Sequence, residues 1–368
     1  MNFLRRDRDT LEKFLPSFDA KLAKIPLLEL ERSSIMNPGL SMFRELDGPA
    51  LLIARELGGK GASPMDAIQI HRAVGARTPS LAIAMTMHHL SVTTLMEYGD
   101  CTTKLLQLIT GGQLLVASGF AEGRSGAGIL APTMQAEPRN GGYVINGSKK
   151  PCSLSSSMHL LAASVFVAGR TRAIAVVPSD AEGISLKPFW KNTVLAGAES
   201  DEVVLANVQI SEQQLFFHDT AAGMDAAEAG GFLWFQVLIA ASYLGVASAL
   251  VERVIAGGHG DACGRTQLAL EVEGAMSSLE GVARAMQAGD RSEALRAQAF
   301  FVRFSVQQAI ARASVLAMEL LGGTAFLESP DVTYLLAASQ ALALHPPSRL
   351  SAAPALDDYL AGKPMQLV

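Results

Sequence analysis

Apolar residues recur at intervals of three and four, with polar residues between them, over residues 9–14, 49–57 and 63–74, and that spacing predicts amphipathic helices. Ser63-Pro64 ahead of Met65-Asp66 adds an N-cap followed by proline at the first helical position, where its missing N–H costs nothing. Pro79-Ser80 opens a further helix over 81–98, and 102–110 forms a shorter one that Gly111-Gly112 stops. From about residue 114 the apolar runs shorten to strand length: 114–117, 143–145, 161–167, 173–177 and 202–205. Arg139-Asn140-Gly141-Gly142 and Asn146-Gly147 between them are hairpin-type turns. Many short strands without intervening helical spacing predict an antiparallel barrel or sandwich. The helical period returns from about residue 223, over 231–254, 268–288, 293–322 and 331–344. The order is helices, strands, helices, with short joints and no internal repeat.

Residues 232–251 form an uncharged run long enough to cross a bilayer. The run carries Gln236, Ser242, Tyr243 and Ser248, and no second such run accompanies it. A helix apolar all round is also what the centre of a bundle requires, so we read it as a buried core helix and expect no membrane span. Hydrophobic residues make up 49% of the chain and charged ones 18%, enough apolar material for a large core and too little charge for a disordered chain. Thirty basic against 35 acidic residues give a net charge of −5 with no basic block, which argues against nucleic acid as a partner. Cys101, Cys152 and Cys263 lack the spacing of a disulfide framework or a metal site, in keeping with a cytoplasmic protein.

Several segments then carry a resemblance. Phe120-Ala121-Glu122-Gly123-Arg124-Ser125-Gly126-Ala127-Gly128 resembles the Thr-Glu-Pro-x-Ala-Gly-Ser-Asp loop of the acyl-CoA dehydrogenase superfamily. Gly142-Tyr143-Val144-Ile145-Asn146-Gly147-Ser148-Lys149-Lys150 is similar to its Gly-Tyr-x-Leu-Asn-Gly-x-Lys hairpin. Glu182-Gly183-Ile184-Ser185 and the stretch from Asp201 to Val208 resemble later strands, and Leu320-Leu321-Gly322-Gly323-Thr324-Ala325-Phe326 its Leu-Gly-Gly-x-Gly-Phe turn. The resemblance spans nearly the whole chain. It implies an α+β protein with an N-terminal helical domain (1–113), a middle antiparallel β-barrel-like domain (114–218) and a C-terminal four-helix bundle (219–368). It further implies a homodimer or homotetramer, and FAD between the β domain and the bundle. Phe120, Ala121, Gly126, Ala127, Ser153, Gly322 and Gly323 stand at the positions expected against the cofactor.

The chain departs from the family at its base. The two positions where relatives carry a catalytic Glu correspond here to His345 and Phe235. An imidazole titrates near working pH and can substitute, so His345 is the expected catalytic residue; the ordinary alternative is a histidine ending a helix ahead of Pro346-Pro347. Ala121 and Ala127 replace hydroxyl side chains of the loop, and Glu319 stands where relatives carry Gln near the pyrophosphate. His88 and His89 lie inside an apolar helix, where a hydrogen-bonded core histidine is the ordinary role. Flavin monooxygenases of this fold place a histidine on this helix, another near the C-terminus and a serine like Ser153 around a flavin hydroperoxide, so His88 and His89 are also substrate-side candidates. Three functions follow from the resemblance. The leading one is α,β-dehydrogenation of an acyl thioester, bound to CoA or a carrier protein, with His345 as base. The alternatives are oxygenation with reduced FMN or FAD supplied in trans by a reductase, and a non-catalytic subunit partnering a second acyl-CoA dehydrogenase-like chain.

Overall fold

A computed structural model describes residues 1–32, 37–123, 132–139, 141–167, 172–218 and 224–365. The chain opens with helices α1 (Arg5–Phe14), α2 (Phe18–Leu22), α3 (Leu27–Leu30), α4 (Pro38–Glu45), α5 (Pro64–Gly75), α6 (Pro79–Met96) and α7 (Thr103–Gly112). Strands β1 (Val116–Gly119), β2 (Gln135–Arg139), β3 (Gly142–Cys152), β4 (Leu160–Val167), β5 (Arg172–Pro178), β6 (Ile184–Lys187), β7 (Asp201–Ser211) and β8 (Leu215–Phe217) follow. Helices α8 (Ala226–Ala256), α9 (Ala262–Gln287), α10 (Glu293–Glu328), α11 (Pro330–Ser339) and α12 (Arg349–Leu360) complete it.

Caps set the boundaries. Ser63 and Asp66 form a reciprocal capping box on α5, with Pro64 in the first turn. Asp225 and Glu228 do the same for α8. Residues 49–57 are not the expected helix. Two 3₁₀ turns, Gly48–Ala50 and Arg55–Leu57, stand there, because the amides of Lys60, Gly61 and Ala62 fold back onto the carbonyls of Ala50, Ile53 and Leu51. Gly111 and Gly112 lie inside α7, which ends instead at Gln113 in the left-handed region. Inside α10 the backbone breaks at Gly322 (φ 81°).

The eight strands form one sheet in the order β6-β7-β3-β2-β4-β5-β8, with β1 pairing β4. The expectation of an antiparallel sheet holds for most pairs but not for β1–β4 and β2–β4, which run parallel. Both parallel partners of β4 lie upstream of it and are joined to it by long connections rather than by tight turns, so hairpin geometry does not dictate their direction. One face of this sheet meets α6 and α7 through a cluster that includes Val92, Leu95, Ile109, Val116, Ile174 and Val176.

The uncharged run expected in the core is α8, and 94% of its most apolar window is buried. It is crossed closely by α5: a Cβ added to Gly245 would sit 2.2 Å from the Arg72 carbonyl oxygen, and one on Gly75 would sit 2.2 Å from that of Ser242. Gly245→Ala must push two buried helix backbones apart. We expect it to cost about 1–3 kcal/mol and lower the melting temperature by several degrees, measurable by thermal denaturation. An unchanged melting temperature would show that the crossing relaxes freely.

Candidate functional site

A cavity of about 460 Å³ opens between the sheet and the C-terminal helices. Ile83, Met87 and Leu90 of α6, Ile174 of β5, Phe232 and Phe235 of α8, and the loop residues Phe120, Trp190 and Leu195 give it a mostly apolar wall. Polar groups break that wall in a few places. At one, Ser153 shares a hydroxyl hydrogen bond of 2.9 Å with Ser200. Glu122 also lines the cavity, but its carboxylate is bound to the buried Lys149 ammonium and accepts from Thr133, so it presents a neutralised pair.

The segment after α11 brings His345 to the cavity between Leu344 and Pro346. The only hydrogen-bond partner of the Tyr243 hydroxyl among the described residues is His345 Nε2, at 2.8 Å. The phenol is fully buried and must donate somewhere, so it donates to Nε2, and the imidazole proton sits on Nδ1. Burial, with the nearby Arg303 guanidinium, pushes the ring's pKa down to about 3. His345 is thus a neutral ring offering an N–H. Arg303 is itself 1% exposed; it donates to the carbonyls of His345 (2.6 Å) and Pro346 (3.4 Å) and to Gln236 Oε1 (2.9 Å). Its guanidinium lies 5.7 Å from the ring centroids of both Phe235 and Phe304. Gln236 Nε2, on the cavity wall, has no hydrogen-bond partner among the described residues.

A second polar group forms where β8 hands over to α8. His218 Nδ1 stands 2.9 Å from Asp225 Oδ2 and 3.2 Å from the Tyr98 hydroxyl. Glu228 accepts from Arg172 on Oε2 at 3.0 Å. Burial raises the Glu228 carboxyl, and His218 and Arg172 oppose that rise. His218 and Glu228 both line the cavity.

Of the residues expected from the sequence, Phe120, Ala121, Ser153 and His345 meet at this cavity. Gly126 and Ala127 lie outside the described residues. Gly322 and Gly323 do not line it; they form the break in α10. His88 and His89 correct the substrate-side expectation: both are fully buried away from the wall. His88 bonds the Pro49 carbonyl and the Val116 amide, and His89 Nδ1 faces His71 Nε2 at 2.9 Å. The sequence reading missed His218, Glu228, Tyr243, Gln236 and Arg303 as site residues. Asp225-x-x-Glu228 carries a visible capping-box spacing, and Gln236 and Tyr243, seven apart, share one face of an otherwise apolar helix.

The room and lining suit a flat aromatic cofactor: the volume is that of a ligand site, the wall is apolar, and Ser153, the His345 N–H and the orphaned Gln236 amide offer hydrogen bonds. No family model matches the sequence. The chain is 40% identical to isobutylamine N-hydroxylase of Streptomyces viridifaciens over 380 aligned residues, covering 100% of each. KijD3 in complex with FMN and an amino-keto dTDP-sugar superposes with a TM-score of 0.83 at 19% identity, over 97% of this chain and 94% of that one. TdsC of Paenibacillus sp. A11-2 with FMN and indole gives 0.80 at 16%, over 99% of each. A glutaryl-coenzyme A dehydrogenase complex gives 0.80 at 17%, over 100% and 96%. These structural likenesses establish the shared fold.

The buried histidines set an acid limit on stability. Burial pushes His71 to about 3 and His88 to about 4, both below the ~6.5 of an unfolded chain. Each ring therefore binds its proton more readily unfolded, so its stability contribution is complete above pH ~6.5 and declines as pH falls toward 4. We expect the unfolding free energy at pH 5 to lie on the order of 1–2 kcal/mol per histidine below that at pH 7.5, read by urea titration. His71→Gln should flatten part of that slope.

Proposed function

The chain belongs to the acyl-CoA dehydrogenase superfamily of flavin oxidoreductases, and from that premise we propose that it is an oxygenase which N-hydroxylates a primary alkylamine. The observation that carries this reading is the 40% identity, end to end, with isobutylamine N-hydroxylase. The reaction balances as amine, dioxygen and reduced flavin giving N-alkylhydroxylamine, water and oxidised flavin. Nitrogen loses two electrons, the flavin loses two, and dioxygen gains four. A separate reductase that supplies reduced FMN or FAD is part of the reading.

Phe120, Ala121 and Ser153 would hold the flavin against the sheet side of the cavity, which supplies the electrons that activate oxygen when bound. The chain's own residues do the rest. The apolar wall of Met87, Leu90, Phe232 and Phe235 takes an alkyl chain and limits water. His345, kept neutral and with its Nε2 occupied by Tyr243, presents a proton at Nδ1 to an oxygen atom in the cavity. That tautomer leaves His345 no free lone pair on Nε2, so the residue standing at the family's base position is set up as a donor to oxygen rather than as the base of a dehydrogenation.

Protein supplied with a flavin reductase, NADH, air and isobutylamine should form the hydroxylamine, detected by mass spectrometry. Anaerobic protein loaded with oxidised flavin should not bleach with acyl-CoA. The reverse pair of results would return the chain to the dehydrogenases. His345→Ala should lower hydroxylamine formed per flavin oxidised by about tenfold or more, with hydrogen peroxide appearing in its place.

A further inference from the structure

The cavity wall carries two acceptor atoms without a hydrogen-bond partner among the described residues. His218 Nε2 and Glu228 Oε1 lie 3.6 Å apart, too far for a hydrogen bond to each other, and neither has another hydrogen-bond partner among the described residues. His218 is nonetheless 94% buried, since its relative exposure is 6%. Its tautomer follows from its other nitrogen. Asp225 Oδ2 accepts, so in the neutral ring Nδ1 carries the proton, which donates to it at 2.9 Å, and Nε2 has the lone pair. Glu228 Oε2 is taken up by Arg172 and by the Asp225 amide at 3.2 Å, which leaves Oε1 facing the cavity. A lone pair and a carboxylate oxygen at this spacing are matched by one group that donates to both, an alkylammonium.

Resting on the amine-hydroxylase reading, we propose that His218, oriented by Asp225, is the base that turns the bound alkylammonium into the free amine, and that Glu228 is the counter-ion that anchors it. A primary alkylamine has a pKa near that of lysine, ~10.4, and is almost entirely protonated at neutral pH. Its nitrogen cannot attack oxygen without a lone pair. The N–H bond of the ammonium breaks, the proton passes to His218 Nε2, and the electron pair stays on nitrogen. The imidazolium formed is faced by Asp225 and Glu228 of α8, by Tyr98 at the end of α6, and by Arg172 of β5 through Glu228. One proton is then released per turnover, as the overall conversion of RNH₃⁺, dioxygen and reduced flavin to RNHOH, water and oxidised flavin requires. The Asp225–His218 arrangement gives this buried histidine at an acidic helix start a use beyond its ring contact with Tyr98.

The test is steady-state hydroxylation by the full chain with a flavin reductase, comparing isobutylamine with 2,2,2-trifluoroethylamine, which is already neutral at pH 7. His218→Asn should lower kcat/KM for isobutylamine at pH 7 by about 10²-fold or more, rising about tenfold per pH unit toward the amine's own pKa. The loss for trifluoroethylamine should be no more than about threefold. Glu228→Gln, which keeps a capping oxygen, should raise KM for isobutylamine about tenfold with kcat less affected. Asp225→Asn retains the helix cap and should lower kcat/KM about tenfold without a matching loss of melting temperature. Equal losses on both amines, or a wild-type pH profile in His218→Asn, would reduce His218 to a structural role and leave the hydroxylase reading intact. Wild-type protein that hydroxylates no amine would remove both.

Discussion

A helix buried on every side leaves its polar residues no recourse to water, and α8 imposes this constraint on the rest of the molecule. Gln236, Ser242, Tyr243 and Ser248 are each at most 1% exposed. An unpaired polar group in such a place costs on the order of 1–3 kcal/mol, so each must find a partner on another element. Ser242 meets His71 of α5 and Thr86 of α6, and Ser248 accepts from Arg72 of α5. Tyr243 donates to His345 and Gln236 accepts from Arg303 of α10. The N-terminal helices are thereby keyed to one side of α8 and the C-terminal elements to the other. The cavity is bounded where these sets meet the sheet.

Arg303 shows what the keying demands. A guanidinium 1% exposed, with no carboxylate partner among the described residues, is costly on charge alone. Backbone carbonyls of His345 and Pro346, the Gln236 oxygen and two aromatic rings replace the solvent it lost. Its charge in turn opposes protonation of His345, so that end of the cavity holds a fixed donor. The start of α8 has the opposite character, with Asp225 and Glu228 set beside the Arg172 cation. A mostly apolar chamber with a donor on one part of its wall and acceptors on another can orient a short polar-headed alkyl molecule.

Much of this was legible in the sequence because it is local. The 3.6-residue period over 63–74 and 268–288, and the strand-length runs at 161–167 and 173–177, match α5, α9, β4 and β5 closely. The core status of 232–251 followed from a run too apolar for a surface helix. The 49–57 segment failed because backbone hydrogen bonds from residues 60–62 overrode its side-chain spacing. Strand direction was equally hidden, since β4 pairs with elements well upstream of it. At the site, Ser153 and His345 could be placed through motif spacing. His88 could not be told from a cavity residue, because helix periodicity does not say which of two buried faces meets the cavity. Arg303 and His218 were hidden for another reason: Arg303 meets Gln236, 67 residues away, and His218 meets Tyr98, 120 residues away, as well as Asp225, with no regular sequence spacing between them.

Two histidines on one cavity wall make the general point about how this fold divides its chemistry. Neither ring's role is fixed by its residue type. His345 accepts a hydrogen bond at Nε2 from Tyr243 and so keeps its proton on Nδ1 as a donor. His218, when neutral, donates a hydrogen bond from Nδ1 to Asp225 and so has its lone pair on Nε2. A hydroxyl behind an imidazole makes it an acid-side group, and a carboxylate behind it makes it a base. Moving between proton abstraction from carbon and oxygen transfer to nitrogen therefore does not require a new scaffold. It requires exchanging the carboxylate that removes a carbon-bound proton for a donor that serves oxygen, and providing a base where the substrate nitrogen must lose its charge. Under the hydroxylase reading both changes fall to partners carried by α8, Tyr243 beside His345 and the N-cap Asp225 behind His218.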